Sequence, residues 1–108
     1  MTWKDLNAEE QLQEIMNNSF ATPQIIFKHS TRCSISSMAK NRLDKAEKPT
    51  NTEFYYLDLI KFRNISNAIA DKFKVFHASP QVLVIKNGSC VYDESHSGIT
   101  VPDILAHI

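Results

Sequence analysis

Gln24-Ile25-Ile26-Phe27-Lys28-His29-Ser30-Thr31-Arg32-Cys33-Ser34-Ile35-Ser36 is the stretch on which the fold turns. Its first six residues are short and largely apolar, bounded by Pro23 on one side and a polar tripeptide on the other, the pattern of a central strand covered on both faces. Ser30-Thr31-Arg32 closes the strand. From Cys33 to about Glu47 the spacing changes: Ile35, Met38, Ala39, Arg42, Leu43 and Ala46 recur at helical intervals, and Pro49 marks the stop. Cys33 therefore stands at the start of a helix that leaves a buried strand.

Upstream, Asn7 is a candidate N-cap, Glu9 and Glu10 follow in the first turn, and Leu12, Ile15 and Met16 form an apolar stripe with Trp3 and Leu6 placed to pack beneath it. Downstream, Glu53 to Leu59 is aromatic and apolar enough for a second strand, and Ile65, Ala68, Ile69 and Phe73 outline another amphipathic helix. Pro80 to Lys86, the turn Asn87-Gly88 and Ser89 to Tyr92 spell an antiparallel hairpin, for which Asn-Gly is the strongest short-range cue. Ser97-Gly98 punctuates the chain before Thr100, Pro102 and Asp103 open a last helix carrying Ile104, Leu105 and Ile108. Parallel strands joined by a helix, then a hairpin and a closing helix, imply a mixed sheet with helices on both faces. That order resembles the thioredoxin-like architecture: an α/β fold, a three-layer α/β/α sandwich around a four-stranded mixed sheet, in one domain over residues 1–108.

Twelve basic and twelve acidic residues cancel, so no global field draws the chain to nucleic acid or to an anionic membrane, and binding has to be local. No apolar run reaches the roughly 20 residues of a membrane span, and the first 19 residues lack the basic-then-apolar order of a secretory signal, which leads to the expectation of a cytoplasmic protein. Two cysteines, Cys33 and Cys90, are too few for a disulfide framework, and their spacing suits neither zinc nor an iron-sulfur cluster; no bound metal or cofactor is expected.

The chemistry centres on Cys33. A helix N-terminus offers unpaired N–H groups and the positive end of the dipole, both of which favour the thiolate, the nucleophilic form, and Arg32 beside it adds a cation. Ser36 occupies the place of a second cysteine in a dithiol oxidoreductase, so Cys33-Ser34-Ile35-Ser36 supplies a hydroxyl but no internal disulfide, and a single thiol has to work through mixed disulfides. Ser79-Pro80, directly before the hairpin, falls where thioredoxin-like domains hold a cis-proline facing the active-site helix. There the Ser79 backbone is expected to receive an extended substrate in the manner of strand addition.

Phe27-Lys28-His29-Ser30-Thr31-Arg32-Cys33-Ser34-Ile35-Ser36 resembles the signature of the YtxJ-like, or bacilliredoxin C, proteins: a strand ending Lys-His-Ser, then Thr-x-Cys-Pro-Ile-Ser. Val75 to Gln81 and Ser95 to Thr100 agree as well, so the similarity spans nearly the whole chain. The resemblance implies a cytoplasmic monothiol redoxin that removes bacillithiol, a low-molecular-weight thiol, from oxidised protein cysteines, with Cys33 as the attacking residue, the small thiol as co-substrate and S-thiolated proteins as clients. The chain departs from the pattern at Ser34, where proline is usual.

On that mechanism Lys28, His29 and Arg32 are candidates to bind carboxylates of the small thiol, and Ser79 and Pro80 to receive its backbone-like part. Each has a plainer reading. His29 and His96 can be hydrogen-bonded structural groups, Lys28 can run its stem along a strand edge, Ser36 can cap the helix, and Cys90, inside a hairpin strand, can be packing. The alternative from another class is a catalytically inactive thioredoxin-like adaptor that binds an extended peptide near Pro80.

Overall fold

The computed structural model describes residues 3–108. Its centre is β2, Gln24–His29, every residue of which is buried, as an apolar run flanked by strands on both sides requires. β3, Glu53–Asp58, lies parallel to it on one side, and β4, Gln81–Lys86, antiparallel on the other. β4 turns through Asn87 and Gly88, both at positive φ (54° and 81°), the backbone a two-residue hairpin turn demands, into β5, Ser89–Ser95. The sheet holds five strands, not the four expected, in the order β1 (Lys4–Asp5), β3, β2, β4, β5. The extra strand, β1, is paired in parallel with Tyr55 and Tyr56 at the edge of β3. Two residues carry no detectable alternation, so only the pairing reveals it.

Period-two alternation splits the core. Ile26, Tyr55, Leu57, Leu83 and Ile85 point to one face and meet Leu12 and Ile15 of α1 (Glu10–Asn18) and Ile65, Ile69 and Phe73 of α3 (Arg63–Phe73). Ile25, Phe27, Phe54, Val82 and Val84 point to the other, under Ala39 and Leu43 of α2 (Ser34–Asp44) and Ile104 of α4 (Val101–Ala106). Leu6 joins the α1 side, whereas Trp3 packs on the opposite face against Phe27 and Phe54, with its indole N–H donating to Asp44 Oδ1 at 2.7 Å. Residues of odd and even number on one strand path cannot share a face, which is why Trp3 does not lie beneath α1.

Helix starts differ from expectation in one case. Asn7 does not cap α1; the helix begins at Glu10, and the amides of Asn7 and Ala8 donate back to Gln11 Oε1 at 2.8 and 2.9 Å. Thr100 does cap α4, its hydroxyl accepting from the Asp103 amide. In α2 the buried positions are Ser36, Ala39 and Leu43, while Ile35 and Met38 are 45% and 60% exposed. The helix is thus rotated from the stripe its apolar residues suggest, because a serine occupies the inward position next to the sheet. Among the described residues no helix is long and apolar enough to cross a membrane.

Candidate active site

Where β2 ends, Ser30 to Arg32 form a turn closed by Cys33 N–H donating to the Ser30 carbonyl at 3.1 Å. Cys33 has extended backbone (φ −111°, ψ 122°), occupies the N-cap of α2, and uses its carbonyl to accept the Ser37 amide at 3.0 Å. Its side chain makes no capping hydrogen bond, and the residue, at the mouth of the helix, is partly exposed. Ser34 is the first helical residue, a position at which proline would lose no helical hydrogen bond.

Ser36 is fully buried, and its hydroxyl is engaged away from solvent: it accepts the Ser30 amide at 3.0 Å and lies 2.7 Å from His29 Nδ1. That pair welds the first turn of α2 to the end of β2. Burial first, then the charge of Lys40, hold the His29 imidazole below its usual range, which keeps it neutral, and the ring stacks on Phe27 with centroids 5.8 Å apart. His29 is therefore a scaffold for the turn that presents Cys33; at 5% exposure it has no open surface for a ligand carboxylate. Ser36→Ala would strand the Ser30 amide and one ring nitrogen. It should cost about 1–3 kcal/mol in chemical denaturation while leaving appreciable turnover, because the nucleophile is untouched.

The remaining candidates separate by face. Arg32 is exposed in the turn beside Cys33 and, among the described residues, is held by no hydrogen bond or ion pair, free to meet an anionic group. Pro80 is buried and its peptide bond with Ser79 is cis. The Lys28–Gln81 pairing, continued by one residue, sets Pro80 beside His29 at the end of the sheet from which Cys33 emerges. Ser79 Oγ is buried and, among the described residues, has no hydrogen-bond partner. Lys28 belongs elsewhere: it is 0% exposed and alternates with Ile26 onto the α3 face, where its amine reaches the Ser66 carbonyl and His77 Nδ1, each at 3.4 Å. A lysine so enclosed cannot greet a small thiol, which removes it from the ligand-facing set. His77, exposed in the loop before Pro80, was not singled out by its residue type and is found only through this contact.

Burial pushes the Lys28 ammonium down from 10.5 to about 8. Between those values the unfolded chain binds more protons than the folded one, so this group makes stability rise with pH across that window. Thermal unfolding of the wild type should therefore gain on that of Lys28→Met from about pH 8 to pH 10, and parallel curves would remove the buried charge from the account.

Cys90 contrasts with Cys33. It lies in β5, its thiol donates to the Tyr92 carbonyl at 3.3 Å, and burial pushes it up to about 11, so it stays a protonated thiol near neutral pH.

A helix-mouth cysteine beside a proline-led strand, on a mixed sheet between helices, defines a thiol-disulfide oxidoreductase of thioredoxin fold. The chain belongs to the monothiol bacilliredoxin BrxC family, whose model matches residues 4–104. Among solved structures, a candidate oxidoreductase with a thioredoxin fold is similar at 28% identity and a TM-score of 0.83, over 95% of this chain and 90% of the other. Thioredoxin of Fasciola hepatica superposes with a TM-score of 0.77 at 19% identity, over 97% and 99% of the two chains. Thioredoxin of Trypanosoma brucei brucei gives 0.70 at 17%, over 96% and 84%. The two thioredoxins speak to the fold alone.

Proposed function

We propose that the protein removes a low-molecular-weight thiol, bacillithiol in the first instance, from mixed disulfides with protein cysteines, using Cys33 alone. The observation that carries this reading is the pairing of a partly exposed Cys33 at the mouth of α2 with a buried, hydrogen-bonded Ser36 where a second thiol would be needed for a dithiol mechanism. The Cys33 thiolate attacks the small thiol's sulfur; the new S–S bond joins Cys33 to the small thiol, and the electron pair of the broken bond leaves with the client thiolate. A second small thiol, as thiolate, then attacks that sulfur, releasing Cys33 thiolate and a symmetrical small-molecule disulfide for reduction elsewhere. On this reading Arg32 supplies the cation for a carboxylate of the small thiol, and the Ser79 backbone, beside the cis-Pro80 bond, receives the extended client. Two unpaired thiols fit a reducing compartment, the cytoplasm.

The test is a client protein carrying a single bacillithiol mixed disulfide, with release followed by mass spectrometry in the presence of free bacillithiol, beside insulin as a substrate with internal disulfides. Catalytic release from the first with little reduction of insulin is expected. Insulin reduction without release from the client contradicts the monothiol reading, and inactivity on both favours an adaptor.

A further inference from the structure

The α3 face of the sheet holds a polar cluster that the chemistry above leaves unused. Lys28, fully buried on β2, extends its amine toward two acceptors at 3.4 Å, the Ser66 carbonyl on α3 and Nδ1 of His77. Ser66 Oγ approaches the same ring nitrogen at 3.1 Å. Gln81, which pairs with Lys28 across β2 and β4, donates its side-chain amide to the Phe76 carbonyl at 3.0 Å. Two successive residues of the loop between α3 and β4 are thus tied down from inside: Phe76 through its backbone and His77 through its ring. Both lie just before Ser79 and Pro80. Val75 packs against the α3-side core, but Phe76 after it is 97% exposed and adds no apolar anchor before Ser79.

Burying a lysine on an apolar face is costly, and an unbranched apolar side chain would pack there without a charge to neutralise. What the amine gains is reach: from β2 it meets His77 in the loop that leads to Ser79 and Pro80. We propose that Lys28 is a positioning residue that, through His77, fixes the loop carrying Ser79 and Pro80, so that a client's backbone is received in register with the Cys33 sulfur. The kinetic side of this proposal rests on the function proposed above; the structural side does not.

Lys28→Met tests it with two readouts. Losing the tie should raise KM for the mixed-disulfide client by roughly tenfold, about the worth of one hydrogen bond, with kcat and the rate of Cys33 alkylation by iodoacetamide nearly unchanged. Amide exchange over residues 75–79 should accelerate by a similar factor, whether or not the client is a substrate. His77→Ala, at an exposed ring, should reproduce both effects and decides the matter if Lys28→Met does not fold. The double variant should be no worse than His77→Ala, which already removes the Lys28 contact together with the Ser66 one, whereas His77→Asn, which keeps an acceptor, should stay near wild type. Unchanged KM and exchange, additive losses in the double variant, or slowed Cys33 alkylation alongside the rise in KM each overturn the proposal. A wild type inactive on the client overturns the function while the exchange measurement still decides the tie.

Discussion

Cys33→Ser is expected to lower release of the small thiol from a mixed-disulfide client by roughly three orders of magnitude or more, to the uncatalysed rate, since in the proposed mechanism Cys33 alone forms the covalent intermediate. Ser36 is buried and hydrogen-bonded to His29 and Ser30, and Cys90 keeps its proton against the Tyr92 carbonyl, so neither substitutes for the missing sulfur. Stability should not fall with activity. Cys33 makes no capping hydrogen bond at the start of α2, whereas serine is among the favoured N-cap residues, so the variant should unfold at the same temperature or slightly higher. Cys90→Ser should retain full turnover. If Cys33→Ser keeps substantial activity, a second nucleophile has to be sought; if it loses activity together with its fold, the experiment has to be repeated with Cys33→Ala.

Phe27→Ala is expected to cost about 3–5 kcal/mol in urea denaturation, a large share of the 5–15 kcal/mol typical of a domain this size. The ring is fully buried on the α2 face of β2, with the Trp3 and His29 rings each 5.8 Å away, centroid to centroid, so truncation leaves a cavity bordered by two rigid aromatic groups that cannot easily collapse. The loss should reach the site. His29 is stacked on Phe27 and holds Ser36, so the turn presenting Cys33 should loosen, which faster amide exchange over residues 30–36 would show. Phe76→Ala is the control: at 97% exposure it buries almost nothing and should change stability by less than about 0.5 kcal/mol.

These expectations draw on features of unequal legibility. The central strands showed themselves because β2 and β4 are buried on both faces and are therefore almost uninterrupted in apolar character, and the hairpin showed itself because Asn87 and Gly88 are residues that accept positive φ. Cys33 at a helix mouth followed from the same logic, a strand run meeting a helical spacing. The two-residue β1 was hidden, since its only definition is the partner strand. The inward face of α2 was misjudged because Ser36, a polar residue, faces in, and the apolar Ile35 and Met38 face out; only the hydrogen bonds to His29 and Ser30 explain that inversion.

Lys28 is the instructive case. A lysine near a strand end is most simply pictured with its charge in water, and charge complementarity made it a ligand group on paper. Alternation with Ile26 already placed it on the face opposite Phe27, but that α3 and the loop before Pro80 would close over that end of the sheet is a tertiary fact no local pattern encodes. The same holds for His77, whose meaning comes wholly from residues distant in the chain.

Intact mass spectrometry after brief exposure of the wild-type protein to oxidised bacillithiol, followed by peptide mapping, tests the central idea most directly. A single added bacillithiol, located on Cys33 and absent from Cys90, is the predicted result. No adduct, an adduct on Cys90, or a mass lower by two hydrogens from a Cys33–Cys90 disulfide contradicts it.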